Sequence, residues 1–510
     1  MKEELNRAVK RGIGWAILER GTLQTLNFTS SVILARLLLP RDFGIMGIAI
    51  LCTGLATRLM QFGFGMALIQ RETIRPDHVS ALLVITMLIN GVICVGLIAA
   101  SPFVGTYFHD PMAGTVLAVM SWNFLIRAIG VCPNAILRRR LDFRIMSTGS
   151  IIDAVVKLSL AVILAFRGMG VWSLVIGELV GGAAGKIYQA VGARWVPSLR
   201  TTRAAIRDLF GFGAGISVKS TFIYLFENVD NYVVGKRLGT TSLGFYEKAY
   251  NLMDLPVKEF GAQIGPVLFP VFARIRQDSG RLRAACRKTL LAISLLGYPL
   301  FASLVVLAPQ TINLVYGPRW VAAIIPFQIL CLAGLSRALT QVTSTLMNAT
   351  GSVNPEIRRR GFVFVLLLLG TWLGSRWGLP GVAAAVALVN VVTMVLMLTL
   401  LLRVTPVRFS DLLASQRVPA AAATVMVAVE LLAIYVLALG RVEILVLKLL
   451  IPGFLGCLTY VLTAMLLKDE ALSALIQELR RDVRPFLARL GRLRGGRPDS
   501  EPSAPTDEAP

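Results

Sequence analysis

The hydrophobic pattern divides this chain into long apolar segments that are separated by short polar loops. A helix that crosses a bilayer needs about 20 mostly apolar residues. About fourteen segments meet this rule, centred near residues 25, 55, 90, 123, 157, 180, 222, 256, 298, 335, 368, 392, 428 and 456. The pattern therefore predicts an all-α polytopic membrane protein of about fourteen transmembrane helices.

Basic residues are concentrated in every second loop. Arginines follow spans two, four, six, eight and ten, whereas the loops around His109 and Gly317 are almost free of them. Because short cytoplasmic loops carry an excess of Lys and Arg, this alternation places both termini in the cytoplasm. Two pairs break the rule at corresponding points of the two halves, namely Arg36 with Arg41 and Lys236 with Arg237.

An internal repeat between the two halves of the chain sets the domain organisation. Leu38 and Gly44 match Leu238 and Gly244, and the arginines at 138–140 match those at 358–360 after a small insertion. Six spans per half make the repeat parallel, which predicts two six-helix lobes related by a pseudo-two-fold axis along the membrane normal. The N-terminal lobe is predicted to span residues 1–200 and the C-terminal lobe residues 201–405.

The C-terminal part of the chain lies outside this repeat. Residues 406–467 hold spans thirteen and fourteen, the two extra transmembrane helices. Residues 468–494 alternate leucines with arginines at helical spacing, which predicts an amphipathic helix on the cytoplasmic membrane surface. Residues 495–510 have the composition of a disordered tail.

Polar stripes occur on the first hairpin of each half. In span one, Arg20, Gln24 and Asn27 share one helix face, and Arg58 lies in span two. Spans seven and eight carry a second set, Lys219, Glu227, Asp230, Asp254 and Lys258. Since a central charge costs about 2.5–3.5 kcal/mol on insertion scales, these residues are expected to line a shared polar cavity rather than face lipid.

Other intramembrane charges are predicted to have structural roles. Asp153 and Lys157, four residues apart in span five, are expected to pair with each other, and Glu247 and Lys248 are expected to pair internally or to reach the outer boundary. Four further residues are candidates of lower rank: Asn123, Arg127, Glu178 and Arg337.

The composition excludes several functions. Only 16% of the residues are charged, and the net charge of +23 lies in loops between apolar spans, so no nucleic-acid-binding domain is expected. Two histidines offer little for acid–base catalysis, and six scattered cysteines form no zinc or disulfide pattern. The GGAAGK segment at 181–186 lacks Walker A spacing. We therefore expect no enzyme, cofactor or metal site.

Three motifs carry a family resemblance: CPNAILRRRLDFR from Cys132, ARLLLPRDFGIMGIA from Ala35, and GMGVWSLVIGELV from Gly168. With them the chain resembles the polysaccharide-exporter branch of the multidrug/oligosaccharidyl-lipid/polysaccharide flippase superfamily. The resemblance implies flipping of undecaprenyl-diphosphate-linked oligosaccharides across the bacterial inner membrane for O-antigen or exopolysaccharide synthesis. It also implies two lobes around a central cavity.

The resemblance gives the polar residues roles, since arginine binds phosphate oxygens and a diphosphate must be neutralised to cross the membrane. Candidate substrate-binding residues are Arg20, Gln24, Asn27, Arg58, Lys219 and Lys258; candidate ion-coupling residues, for H⁺ or Na⁺, are Glu19, Glu227, Asp230, Asp254 and Glu259. Membrane lipids, a polysaccharide polymerase and a chain-length regulator are expected partners. The alternatives are a drug or metabolite cation antiporter of the same superfamily and a membrane polysaccharide polymerase or ligase.

Overall fold

The computed structural model describes residues 2–59, 76–198, 201–202, 214–350, 353–467 and 473. Its elements in these ranges are helices, without a strand. In chain order the α-helices are α1 (Lys2–Leu37), α2 (Pro40–Leu59), α3 (Pro76–Tyr107), α4 (Pro111–Met120), α5 (Asn123–Arg139), α6 (Phe143–Phe166), α7 (Val171–Gly192), α8 (Ala214–Ile275), α9 (Ser279–Val306), α10 (Ala308–Val315), α11 (Ile324–Thr350), α12 (Val353–Gly374), α13 (Gly378–Val404), α14 (Phe409–Leu439) and α15 (Leu445–Leu466). Two 3₁₀ helices, Pro318–Ala323 and Ser375–Trp377, precede α11 and α13.

The predicted all-α membrane architecture is confirmed. Within the described residues, nine helices or helix pairs are long and apolar enough to cross a membrane. All fourteen predicted span centres lie inside helices, two of them within α8. The predicted lobe boundaries at 200 and 405 stay predictions, and the amphipathic segment 468–494 and the tail 495–510 lie outside the described residues except for position 473.

Local chemistry sets the helix ends. Asp110 accepts a hydrogen bond from the Met112 amide and Pro111 follows at the first position of α4, a favourable start for a helix. Asp142 and Asp278 cap α6 and α9 in the same way. Inside α8, Gly239 has φ 85° and ψ 174°, which separates an arm that ends at Leu238 from an arm that begins at Thr240. The left-handed φ suits glycine at this turn.

Helix packing separates the chain into two groups that share one extensive contact. α1 packs on α6, α6 on α7, and α3 on α4 and α5, while α11 packs on α8, α9 and α13, and α14 on α9 and α15. The two groups meet mainly where α2 crosses α8. We refer to α1–α7 as the N-terminal half and to α8–α13 as the C-terminal half.

Two glycines of the predicted repeat form the centre of this crossing. A Cβ atom on Gly44 would lie 1.7 Å from the Thr240 carbonyl oxygen, and one on Gly244 would lie 1.8 Å from the Pro40 carbonyl oxygen. Thr240 precedes Gly244 by the same interval at which Pro40 precedes Gly44. The environments of the two glycines are therefore reciprocal, and the backbones of α2 and α8 touch because neither carries a side chain there.

Reciprocal polar contacts join the halves at one end of the bundle, which we call the hairpin end (residues 31–44, 107–111, 232–248 and 314–320). The Arg36 guanidinium donates to the carbonyls of Leu314 and Val315 in the opposite half. Lys236, at the matching position of the repeat, donates its Nζ proton to the Tyr107 carbonyl at 2.6 Å. These residues are among the basic ones that broke the loop-charge rule, and their partners are carbonyls at helix C-termini, which attract cations.

Further contacts at the hairpin end involve buried groups. The Trp320 indole is fully buried and donates to the Ala35 carbonyl at 2.8 Å. The Thr240 hydroxyl donates to Asp110 at 3.0 Å. Lys248 is also buried, and its Nζ donates to the Ser31 hydroxyl at 2.8 Å. Lys248 therefore has an internal hydrogen-bond partner, in line with one of the two outcomes expected for it.

Candidate functional site

Four predicted substrate-binding cations lie at a common level of the bundle. Arg20 and Lys219 lie about five helical turns before the ends of their arms, which are at Leu37 and Leu238. Arg58 and Lys258 lie about five turns after the starts of theirs, in α2 and in the second arm of α8. At a rise of 1.5 Å per residue, all four positions are roughly 26–29 Å from the hairpin end.

At this level the halves are bridged by polar contacts. Arg20 forms an ion pair with Glu259 of the opposite half, with 3.6 Å between Nη2 and Oε1, and both side chains are partly exposed. The Ser220 hydroxyl donates to the Arg58 carbonyl at 3.3 Å. The Arg58 side chain is exposed. An exposed ion pair is weak and exchangeable, so Arg20 can release Glu259 for a stronger anion.

The remaining predicted residues of the first stripe have different surroundings. Gln24 is half-buried and Asn27 is exposed on α1. Glu19 accepts a hydrogen bond from the Ser147 hydroxyl of α6 at 2.7 Å, which places its carboxylate between two helices of the N-terminal half. Lys219 lies on α8, and its side chain is outside the described residues. The roles assigned to all of these residues stay predictions.

The C-terminal half contains a group of charged and polar side chains in mutual contact. The Asp254 carboxylate lies 3.0 Å from Lys258 Nζ and 3.0 Å from Arg337 Nη2, and it is almost fully buried. The Arg337 guanidinium also donates to the Tyr250 hydroxyl. Asp230, buried as well, accepts from the Tyr246 hydroxyl at 2.7 Å. Two predicted ion-coupling residues, Asp230 and Asp254, are thus buried beside a common arginine.

These groups border a cavity of about 420 Å³ between α8, α11, α12 and α13. Its polar lining includes Glu227, Asp230, Arg337 and Asn390, and aromatic side chains such as Phe226 close one side. Glu227 is exposed. The lining holds two carboxylates, Glu227 and Asp230, and one cation, Arg337. The ion pair of Asp254 with Lys258 beside Arg337 adds no net charge. The cavity therefore has a net negative charge when all groups are ionised, which favours a cation.

A second cavity, of about 250 Å³, lies inside the N-terminal half and is lined by residues of α2, α4, α5, α6 and α7. Lys157 forms an ion pair with Glu178 of α7 at its wall. The expected pair between Asp153 and Lys157 is therefore wrong. Spacing within one helix predicts which residues share a face, but the carboxylate on the neighbouring helix reaches the ammonium group more closely.

Arg337 and two tyrosines are central to the larger cavity, although the sequence pattern ranked Arg337 low and did not single out the tyrosines. The sequence pattern treats Tyr250 and Tyr246 as apolar residues of span eight. In the structure, the Tyr250 hydroxyl contacts Arg337 and the Tyr246 hydroxyl contacts Asp230. Tyr246, Tyr250 and Asp254 follow one another at intervals of four residues, which places them on one helix face. This spacing could have identified the tyrosines as part of the polar site. Within the described residues, there is no group of three or more His, Cys, Asp or Glu that could hold a metal ion.

The fold and the site define a multi-pass helical membrane protein with charged cavities in both halves. A solved structure of the lipid II flippase MurJ in an inward closed conformation superposes with a TM-score of 0.68 at 14% identity, covering 89% of this chain and 98% of that one. At this identity the likeness shows a shared fold.

The chain belongs to the polysaccharide biosynthesis protein family, whose model matches residues 33–325. This confirms the family predicted from the three motifs. The chain is similar to the lipopolysaccharide biosynthesis protein WzxC of Escherichia coli K12, with 24% identity over 76% of this chain and 79% of that one. It is also similar to the teichuronic acid biosynthesis protein TuaB of Bacillus subtilis 168, with 25% identity over 76% and 81%.

Proposed function

We propose that this protein translocates oligosaccharides linked to a polyprenyl diphosphate, such as undecaprenyl diphosphate, across the bacterial inner membrane. The proposal rests on one observation. Four cations lie at one level of the bundle, on helices α1, α2 and α8: Arg20, Arg58, Lys219 and Lys258. The family match, the relatives whose names concern polysaccharide synthesis and the fold shared with a lipid II flippase support it.

The four cations would offset the electrostatic cost of moving a diphosphate across the membrane. A diphosphate carries charge that is costly to move through a medium of low dielectric constant, and several fixed cations offset this cost. Arginine is suited to the role because its planar guanidinium donates two parallel hydrogen bonds to phosphate oxygens. We expect the diphosphate to displace Glu259 from Arg20, since an exposed carboxylate is held weakly.

Transport would proceed by alternating access of the two halves. Contacts between the halves hold the hairpin end closed. Arg36 of the N-terminal half donates to the C-terminal half, and Lys236 of the C-terminal half donates to the N-terminal half. On the loop-charge prediction, this end would lie on the periplasmic side and both termini in the cytoplasm. The cation level would then be the entrance for substrate from the cytoplasmic leaflet. Release of the glycan to the periplasm requires the hairpin-end contacts to break.

The net negative cavity of the C-terminal half is the proposed site of ion coupling. Binding of H⁺ or Na⁺ near Asp230 and Asp254 would change the charge that faces Arg337, and so the packing of α8 against α11. Glu227 is accessible from the cavity opening. A polysaccharide polymerase and a chain-length regulator would act on the glycan after release.

The alternatives fit the observations less well. A cation antiporter needs an acidic path between the halves, whereas the cations found there would repel its substrate. A polymerase or ligase needs reactive groups in a sizeable loop outside the membrane. Among the described connections at the hairpin end, the longest break between helices is a few residues. We therefore favour a transporter over an enzyme.

Gene deletion followed by complementation tests the proposal. Cells without the protein should accumulate a lipid-linked glycan in the cytoplasmic leaflet and lose it from the surface. Arg20→Ala and Arg58→Ala, alone and together, should abolish surface glycan at unchanged membrane levels of the protein. Arg167→Ala, an exposed arginine at the end of α6, is the control. Normal surface glycan in the double variant would exclude the cation set from the site.

A further inference from the structure

The cavity of the N-terminal half contains an arginine without a counterion in contact. Arg127 lines this cavity of about 250 Å³, and its side chain is exposed. In the part of the chain that the structure describes, its guanidinium makes neither a hydrogen bond nor an ion pair. The helix pair that carries it, from Pro111 to Arg139, is long and apolar enough to cross a membrane, and Arg127 lies well inside it. Arginine within a membrane span is costly and usually functional.

The charges around Arg127 do not cancel. Five ionisable side chains interact electrostatically in this region: Arg127, Lys157, Lys186, Asp153 and Glu178. Lys157 is neutralised by direct contact with Glu178. The remaining two cations face one carboxylate, so the cluster has a net charge of +1 when all groups are ionised. The cavity is thus opposite in sign to the cavity of the C-terminal half.

The internal repeat shows how the imbalance arises. In the C-terminal half, Arg337 is paired with Asp254 and Tyr250, both on α8. The matching positions of the repeat, on α2, are Gly54 and Ile50, and both line the N-terminal cavity. Neither residue has a side-chain acceptor. The positions of the partners that neutralise the arginine in one half are therefore held in the other by a glycine and an alkyl side chain, and the space beside the glycine is occupied by the Tyr224 hydroxyl, which donates to the Ile50 and Leu51 carbonyls.

The two arginines are otherwise comparable. Arg127 lies 16 residues after Pro111, and Arg337 lies 19 residues after Pro318, the prolines that begin their spans. Each lines the cavity of its own half. Among the described residues, Arg337 has a carboxylate in direct contact and Arg127 does not, so this difference is specific to the N-terminal half.

We propose that the N-terminal cavity is a binding subsite for an oxyanion of the transported molecule, with Arg127 as the residue that binds it. This proposal rests on the function proposed above. The ligand group is a carboxylate of an acidic sugar or a phosphate oxygen, because both accept the paired hydrogen bonds of a guanidinium. The cavity offers the Asn123 amide and the Thr53 and Thr57 hydroxyls for neighbouring sugar oxygens.

The position of the subsite suits a second contact on a single substrate. Thr57 lines the cavity, and Arg58, the next residue, belongs to the cation set between the halves. A diphosphate bound at the cation set and an acidic sugar bound in the subsite are within the reach of one lipid-linked oligosaccharide. The volume corresponds to roughly eight water molecules at about 30 Å³ each, enough for one sugar residue.

The first test measures binding without transport. The purified full-length protein in detergent is heated at constant ionic strength with glucuronate, glucose or inorganic pyrophosphate. We expect glucuronate to raise the unfolding temperature where glucose does not, and Arg127→Gln to abolish that shift while Arg167→Gln retains it. Arg127→Lys should retain part of it, since the charge remains but the fork is lost. A shift caused by pyrophosphate should persist in Arg127→Gln if pyrophosphate binds at the cation set, and should be lost if it binds in the subsite. Equal unfolding temperatures with all three compounds would overturn the subsite.

The second test separates the two sources of the oxyanion. Proteoliposomes are loaded with synthetic polyprenyl-diphosphate lipids that carry either glucuronate or glucose. If the sugar carboxylate is bound, Arg127→Gln should slow translocation of the glucuronate lipid roughly ten- to hundredfold and leave the glucose lipid unchanged. Slowing of both lipids, with pyrophosphate stabilisation lost, would identify the diphosphate as the oxyanion. Unchanged translocation of both lipids would overturn the proposal.

These measurements also separate this inference from the proposed function. If the wild-type protein moves neither lipid but is stabilised by an oxyanion in a manner that depends on Arg127, the proposed function fails and the subsite stands. If both lipids move but no oxyanion stabilises the protein, the subsite fails and the proposed function stands.

Discussion

Substitution of Gly44 by alanine should break the closed arrangement of the two halves. The new Cβ would lie 1.7 Å from the Thr240 carbonyl oxygen, whereas real Cβ contacts below 3.0 Å are essentially never seen. The obstacle is backbone, which cannot rotate away, so α2 and α8 must move apart. Overpacking of this kind costs about 1–3 kcal/mol. The separation would also weaken the neighbouring hairpin-end contacts of Arg36 and Lys236.

The control is alanine at Gly91, a helical glycine of α3 with open space around it. This change should be neutral or stabilise by up to about 1 kcal/mol, because alanine favours the helix. The two variants should therefore differ by about 1–4 kcal/mol in the free energy of unfolding, measured by thermal or denaturant unfolding in detergent. An equal stability of Gly44→Ala and Gly91→Ala would refute the reasoning.

A double-mutant cycle makes this prediction sharper. Gly244→Ala meets the Pro40 carbonyl oxygen at 1.8 Å, across the same crossing. One displacement of α2 from α8 relieves both clashes, so Gly44→Ala with Gly244→Ala should cost about as much as either change alone. Additive destabilisation would show that the two glycines do not share one contact, and would contradict the reciprocal geometry.

Three further predictions follow from other contacts. Trp320→Phe removes the indole proton that the Ala35 carbonyl accepts, and leaving that buried carbonyl without a donor should lower the free energy of unfolding by about 1–3 kcal/mol in the same assay; an unchanged stability would contradict it. Asp411 accepts two hydrogen bonds from Arg283 and one from the Arg408 amide at the start of α14. Asp411→Ala removes this acceptor and should lower the free energy of unfolding by about 1–3 kcal/mol. Asp278→Ala removes a single capping bond and should lower the free energy of unfolding by less. Deletion of residues 469–510 should leave surface glycan nearly normal in the complementation assay, and its complete loss would make the C-terminal segment a working part.

Much of the fold could be predicted from the sequence because its signals are local and additive. Each membrane helix carries its own stretch of about 20 apolar residues, so each was found without knowledge of the others. The repeat was also visible, since Gly44 and Gly244 occupy the same place relative to their spans. The ion pair of Asp254 with Lys258 agrees with their spacing of four residues, because such a pair depends on one helix alone.

Contacts between helices could not be predicted in this way. The pair of Arg20 with Glu259 and the pair of Lys157 with Glu178 depend on which helix faces which, and on rotations about each helix axis that hydropathy does not set. That Arg127 has no partner in direct contact among the described residues also depends on contacts between helices. It follows only when every neighbour is placed and the two lysines and two acids around it have been assigned their partners.

The swapped contacts of Arg36 and Lys236 bear on the ancestry of the chain. Each basic residue ends one helix and reaches the carbonyls of the other half, and the two glycines that touch are again one from each half. Two copies of a single subunit, related by a two-fold axis, would make both sets of contacts at once, as in any isologous dimer. The geometry is that of a homodimer fused into one polypeptide, in which each partner was then free to specialise.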